Sequence, residues 1–188
     1  MDFTFSAEQE LLRDGLSKFL AGRYDLETSR AAAKSGPGWQ PDIWQSFAEE
    51  LGILGAALPE DAGGIGGGPV EVMLIAEALG HALVIEPYVD TAVVAAGLLL
   101  RSGSPVAGPI LAEIASGTAV VALAAAEAHS GDRWQDVQTT ASRDGDDWVR
   151  RGDKIMVVNA PLAPHLLVPA QTPGGISLFL VDVSEPRD

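Results

Sequence analysis

Over the first 117 positions, apolar residues recur at three- and four-residue spacing, the period of helices with one buried face. Leu12, Leu16, Phe19 and Leu20 share one such face, and Ser6 with Gln9 three residues on forms a capping box ahead of it. A second helix opens at Pro41-Asp42, carries Ile43, Trp44, Phe47 and Leu51, and stops at Gly52. Pro69 starts a third, with Val70, Val72, Met73, Ile75, Ala76 and Leu79 apolar and Gly80 at its end. Residues 89–100 are apolar on nearly every side, which predicts a buried helix. Residues 106–115 predict a short fifth helix ending at Ser116-Gly117.

After Gly117 the period changes. The runs 120–126, 137–142, 148–150, 154–158, 166–168 and 176–183 are short and separated by Gly, Pro and Asp, which is strand-and-turn spacing. Alanine's low β-propensity makes 124–126 the weakest of them. A turn at Asp144-Gly145-Asp146 joins two strand-like runs, and a second at Gly152 leads into an apolar strand over 155–158. The expected fold class is α+β. An N-terminal all-α helical domain, residues 1–117, precedes a partial antiparallel β-barrel-like domain, residues 118–188.

Composition narrows the functions available. Twelve Lys and Arg against 26 Asp and Glu give a net charge of −14, a surface that repels nucleic acid and anionic membrane. Apolar residues make up 47%, enough for a real core, yet no apolar run reaches the ~18 residues of a membrane span. No basic segment followed by an apolar one opens the chain, so no signal peptide is expected and the location reads as cytoplasmic. With no cysteine, disulfides, thiolate nucleophiles and cysteine-ligated metals are excluded. His81, His129 and His165 lack metal-ligand spacing, so no metal is expected. The glycine run from Gly63 to Gly68 has no preceding strand and no following Lys-Ser/Thr. It reads as a flexible loop before a Pro-started helix, not as a phosphate cradle.

Several motifs share one order. Asp2-Phe3 precedes Ser6-Ala7-Glu8-Gln9 and Leu12-Arg13. Leu51-Gly52-Ile53-Leu54-Gly55 is followed by Pro59-Glu60-Asp61-Ala62-Gly63-Gly64, then by Glu77-Ala78-Leu79-Gly80 and Ala115-Ser116-Gly117-Thr118. In this order they resemble the acyl-CoA dehydrogenase family over the whole chain. The resemblance implies an N-terminal helical domain, a middle β-domain and a C-terminal four-helix domain. Here the chain stops in the second, just after Leu178-Phe179-Leu180-Val181-Asp182-Val183. In the family the third domain carries the glutamate that abstracts the α-proton, most tetramer contacts and much of the flavin's dinucleotide site. No residue here is therefore assigned as catalytic, and the 188-residue chain alone is expected to be inactive. The implied function is part of an FAD-dependent oxidoreductase of lipid metabolism that converts an acyl-CoA thioester to 2-enoyl-CoA. Its implied partners are the acyl-CoA substrate, an electron-transfer acceptor protein, and other subunits in a homo- or hetero-oligomer. The alternative is a non-catalytic subunit of a heteromeric dehydrogenase with a degenerate flavin site; a related acyl-CoA oxidase is a third reading.

By the same resemblance, Leu123, Ala125, Ala126, Gly131, Asp132, Met156 and Val158 belong to the flavin-facing wall. That wall departs from the family pattern. Leu-Thr-Glu-Pro becomes Ala125-Ala126-Glu127-Ala128, and Ala-Gly-Ser-Asp becomes Ser130-Gly131-Asp132-Arg133. Trp-Ile-Thr-Asn becomes Met156-Val157-Val158-Asn159. Two hydroxyls, a serine and a tryptophan are thereby replaced, which together weakens flavin binding by roughly 3–5 kcal/mol. Arg150, Arg151 and Lys154 form the only basic cluster. They read as a solvated hairpin turn, with a CoA phosphate or a partner's acidic face as the alternative. His81, after a helix C-terminus, reads as structural. His129 reads as a solvent-facing loop residue, with cofactor or substrate contact as the alternative.

Overall fold

The computed structural model describes residues 4–34, 38–131 and 133–184, and Cα packing divides the chain between Ala119 and Val120. The first unit holds helices α1 (Ala7–Arg23), α2 (Leu26–Lys34), α3 (Pro41–Glu49), α4 (Pro69–His81), α5 (Ala96–Ser102) and α6 (Ala107–Ala115). Short 3₁₀ turns lie at Ile53–Gly55 and Glu60–Ala62, and a π-helix, Tyr88–Ala95, runs directly into α5.

The expected start signals operate as chemistry. Ser6 Oγ accepts from Gln9 N–H at 3.2 Å while Gln9 Oε1 accepts from Ser6 N–H at 3.0 Å, closing the capping box. Gln9 Nε2 also donates to Glu71 Oε1 at 2.8 Å, which ties the start of α1 to the first turn of α4. Pro41 and Pro69 open α3 and α4, and Gly52 takes a left-handed φ of 64° after α3. Leu16 and Leu20 of α1, Trp44 and Phe47 of α3, Ile53 and Leu54, Leu74 and Ile75 of α4, and Leu111 and Ile114 of α6 form the core.

Three expectations for this unit need correction. The helix α2 was not expected, because its only buried residue is Ser29 and no apolar stripe marks it. Its start is set by Asp25, whose Oδ2 accepts from the N–H and the hydroxyl of Thr28, each at 2.8 Å. The 89–100 helix is two elements rather than one. Ala96 N–H donates to Thr91 O, five residues back, so the wider π turn rotates the side chains that follow. Val89 and Leu100 face solvent, while Tyr88, Ala92, Ala95, Ala96 and Leu99 are buried. The glycine loop is also packed against backbone: a Cβ on Gly64 would lie 2.1 Å from Leu58 O, and one on Gly67 2.5 Å from Ala56 O.

The second unit holds β1 (Val121–Leu123), β2 (Thr140–Asp144), β3 (Asp147–Arg151), β4 (His165–Thr172) and β5 (Gly175–Asp182). β4 is the hub. It pairs antiparallel with β5 along its length, parallel with β1 from Val121↔His165 to Leu123↔Leu167, and parallel with β2 at Thr140↔Gln171. The parallel pairs add to the expected antiparallel ones because the β1-to-β4 connection is long enough to cross over. The β2–β3 hairpin forms as expected, with Gly145 at φ 62° in its turn. Trp148 on β3 meets Phe179 on β5 edge-on at 5.3 Å, so the hairpin curls toward β5 and the sheet coils without closing into a barrel. The expected strand over 154–158 is absent. Met156 has φ 51° and Asn159 φ 59°, a left-handed backbone that no strand can follow.

Glu86 is the buried charge of the helical unit, at 6% exposed. Its Oε1 accepts from Gln40 N–H at 3.0 Å, while Oε2 and Gln40 Nε2 have no partner among the described residues. Burial pushes its carboxyl above the ordinary value of 4.5, against hydrogen bonds that pull it down. A carboxyl raised in the folded state contributes stability that is fully present below 4.5 and lost as pH rises through the folded value. Denaturant unfolding from about pH 4 to pH 8 should therefore show a downward slope that Glu86→Gln removes. Glu86→Ala should cost about 1–3 kcal/mol near pH 4, because Gln40 N–H then stays buried without an acceptor, and less as pH rises.

Candidate functional site

The site is built outward from Glu127, four residues beyond the end of β1. Backbone pairing continues past that strand, since Ala124 N–H donates to Leu167 O at 2.8 Å. The chain then turns: Ser130 N–H donates to Glu127 O at 3.1 Å, and the buried Ser130 Oγ donates to the same carbonyl while accepting from Glu127 N–H. This turn aims the Glu127 side chain inward, where only 5% of it is exposed.

Four donors converge on that carboxylate. Gln138 N–H donates to Oε2 at 2.8 Å. Thr139 donates to Oε1 from both its N–H, at 3.1 Å, and its hydroxyl, at 2.7 Å. Lys154 Nζ reaches Oε1 at 2.5 Å with 9% of its side chain exposed. Burial pushes the Glu127 carboxyl up, but hydrogen bonds from Lys154, Thr139 and Gln138 outweigh it and bring it down to about 2. Lys154 is thus a correction to the solvated basic cluster: only Arg150 and Arg151 belong to the hairpin strand, and Lys154 turns inward.

Gly152 makes that reach possible. Its φ is 153°, and a Cβ there would lie 2.5 Å from Thr139 Oγ1 and 2.7 Å from Thr139 Cα. Only a residue without a side chain lets 152–154 pass so close to Thr139. Beyond Lys154, Ile155 N–H donates to Ala126 O at 2.9 Å, and Lys154 Nζ lies 3.5 Å from Ala125 O. The stretch after β1 and the stretch after β3 are therefore laced together at Ala125, Ala126 and Glu127.

This lacing decides which expected site residues meet. Leu123, Ala125 and Ala126 are half-buried along the exit of β1, and Met156 follows directly on the residue bonded to Ala126. Met156 is 87% exposed and Val158 61% exposed, so both side chains stand on the surface of the laced segment. Gly131, at φ 57°, lies in the adjoining turn, and Asp132 lies outside the described residues. Ala126, Met156 and Val158 carry no side-chain hydrogen-bond donor, so they can offer a ligand apolar packing only. His129 is exposed in its loop, as expected, with Nε2 3.4 Å from Asp136 Oδ1 and Nδ1 3.8 Å from Glu127 Oε2. His81 sits in the last turn of α4, and no cluster of His, Asp and Glu suited to a metal occurs among the described residues. In the sequence Glu127 stands only as one position of a motif and Lys154 only as part of a basic cluster, and neither pattern shows that they pair. The available signal is that Glu127 keeps its place in a segment whose neighbours depart from the family pattern.

Residues 6–118 match the family model described as "Acyl-CoA dehydrogenase, N-terminal domain". The chain is 31% identical to acyl-CoA dehydrogenase FadE27 of Mycobacterium tuberculosis over 99% of its own length and 48% of that protein. Among solved structures, the ChsE4-ChsE5 complex from Mycobacterium tuberculosis matches with a TM-score of 0.85 at 30% identity, covering 99% of this chain and 50% of that one. The Tcur3481-Tcur3483 steroid ACAD G363A variant matches with a TM-score of 0.84 at 32% identity, over 95% and 49% of the two chains. The chain spans about half the length of the curated relatives it matches.

Two outcomes follow from the Glu127 network. Gly152→Ala should lower unfolding stability by more than ~2 kcal/mol through overpacking on Thr139, whereas Gly145→Ala, with open space around it, should cost only about 1 kcal/mol for its left-handed backbone. Because the Glu127 carboxyl is depressed, its contribution is present above the ordinary value of 4.5 and lost as pH falls toward about 2. Acid unfolding followed by tryptophan fluorescence should therefore shift to higher pH in Glu127→Gln.

Proposed function

The chain belongs to the acyl-CoA dehydrogenase family, and we propose that it forms part of an FAD-dependent enzyme that dehydrogenates an acyl-CoA thioester to the 2-enoyl-CoA. The observation that carries this reading is the laced segment at Ala125, Ala126 and Met156, which presents an apolar surface where the resemblance expects the flavin-facing wall. Ala126, Met156 and Val158 would hold the ring by packing. Flavin, when bound, supplies the capacity to accept a hydride. This chain's own share is to orient and to exclude water, and no proton-transferring residue is assigned to it. The acyl-CoA, an electron-transfer acceptor protein and further subunits are the partners of the assembled enzyme, which is cytoplasmic on this reading. The 188 residues alone are inactive on it.

Two observations favour the second reading, a non-catalytic subunit of a heteromeric dehydrogenase. None of Ala126, Met156 and Val158 offers a donor, and the ChsE4-ChsE5 structure is a complex of two differently named chains. Loss of those contacts weakens flavin binding by about 2–4 kcal/mol.

The test is flavin absorbance and FAD titration of the full-length protein, alone and co-expressed with a neighbouring dehydrogenase-like subunit. The dehydrogenase reading expects bound FAD and acyl-CoA-dependent dye reduction in the assembled form. Ala126→Thr and Val158→Thr should each tighten FAD binding by about 0.5–1.5 kcal/mol. Met156→Trp should help least, because φ 51° disfavours a bulky residue there. Asp132→Ser removes the like-charge contact that the resemblance expects and should add to the gain. Flavin bound only by the partner selects the non-catalytic reading; flavin absent from every assembly ends both.

A further inference from the structure

Lys154 and Glu127 are more than a stability device, because of where their network touches the wall. The Lys154 ammonium bonds the Glu127 carboxylate at 2.5 Å and lies 3.5 Å from Ala125 O, while the next residue, Ile155, donates its N–H to Ala126 O. Glu127 is in turn fixed from the other side by Gln138 and Thr139, and Thr139 O accepts from Gln171 N–H of β4 at 2.8 Å. A continuous chain of hydrogen bonds thus runs from the hub strand through Thr139, Glu127 and Lys154 to the backbone that carries Ala126 and Met156. The wall segment itself has no ladder to hold it, since 152–159 forms no strand and Met156 and Asn159 are left-handed. Remove the ammonium, and the only bond named above that still joins the two stretches directly is Ile155 N–H to Ala126 O.

We propose that Glu127 and Lys154 are positioning residues for the cofactor-facing wall: their buried ion pair sets where Ala126 and Met156 stand, and so sets flavin affinity without touching flavin. This rests on the reading of that surface as the flavin wall. The charge is needed as well as the contact. A neutral replacement leaves a buried carboxylate with three neutral donors and no counter-charge, so the carboxylate draws in water or a proton and the turn at 127–130 relaxes.

The experiment uses the full-length protein in its flavin-binding assembly, with Lys154→Met, Lys154→Gln and Lys154→Arg. FAD affinity, the shape of the flavin absorption bands, thermal unfolding and hydrogen exchange over 153–158 are measured together. Lys154→Met should lose ~10–100-fold in FAD affinity, as when an orienting partner is removed from behind a ligand contact. Lys154→Gln keeps a donor to Glu127 and guards against simple misfolding. It should stay folded while melting below wild type, bind FAD ~10-fold more weakly and show altered flavin bands. Lys154→Arg keeps the charge and should recover most of the affinity. Faster exchange over 153–158 should accompany every loss. Folded Met and Gln variants with wild-type FAD affinity and spectrum overturn the proposal and leave the function standing. A wild-type assembly whose flavin lies wholly on another subunit overturns both the reading of this wall and the proposal built on it.

Discussion

A carboxylate and an ammonium removed from water must be compensated or the β-unit does not hold together. Each buried ion costs several kcal/mol in lost hydration, and Coulomb attraction alone rarely offsets that. In this chain Glu127 recovers the difference with three hydrogen bonds from Gln138 and Thr139 besides the bonded charge of Lys154. Those donors come from two places in the chain, at 138–139 and at 154, so satisfying the charge at 127 ties three segments together. Gly152 belongs to the same constraint, since a side chain there would hold 152–154 away from Thr139 and leave Lys154 short of its partner. The short strands have too few ladder bonds to order these loops by themselves: β1 has three residues, and β2 meets β4 at a single pair.

The helical unit solves the same problem with backbone instead of charge. Its glycine loop is held by Gly64, Gly66 and Gly67 N–H groups donating to Pro59, Leu58 and Ala56 carbonyls. The approach is so close that side chains at 64 and 67 cannot be accommodated. Its buried carboxylate, Glu86, is compensated less well. Gln40 N–H donates to it at 3.0 Å, and its pKa moves up where that of Glu127 moves down. Burial raises both carboxyls; at Glu86 it prevails over the hydrogen bonds, while at Glu127 the bonds from Lys154, Thr139 and Gln138 outweigh it.

Features legible in the sequence are those whose physics is local. The Ser6–Gln9 box, Pro41 and Pro69 at helix starts, Gly52 and Gly145 at turns, and the change of period after Gly117 all act within a few residues of themselves. What stayed hidden depends on distant partners. The helix α2 buries a serine whose hydroxyl pairs with Tyr24, a contact no apolar period records. The π turn after Pro87 breaks the 89–100 run into two elements, and Val89 and Leu100 are exposed although composition argued the reverse. An apolar run at 155–158 has strand composition, but its backbone is governed by the Lys154 anchor before it and the left-handed residues within it. Arg150, Arg151 and Lys154 looked like one basic cluster because charge can be read from sequence and direction cannot.

The wall separates what holds it from what it presents. Its polar support lies underneath, in Glu127, Thr139 and Lys154, while its surface carries alanine, methionine and valine. Changing the exposed positions leaves the buried charges paired, so the fold tolerates variation there that a ligand would feel at once. Met156 is the exception that joins the two layers. At φ 51° it stands in a region where an unbranched side chain is tolerated and a bulky or β-branched one is costly. A tryptophan at this position would therefore add backbone strain to whatever contact its ring gained.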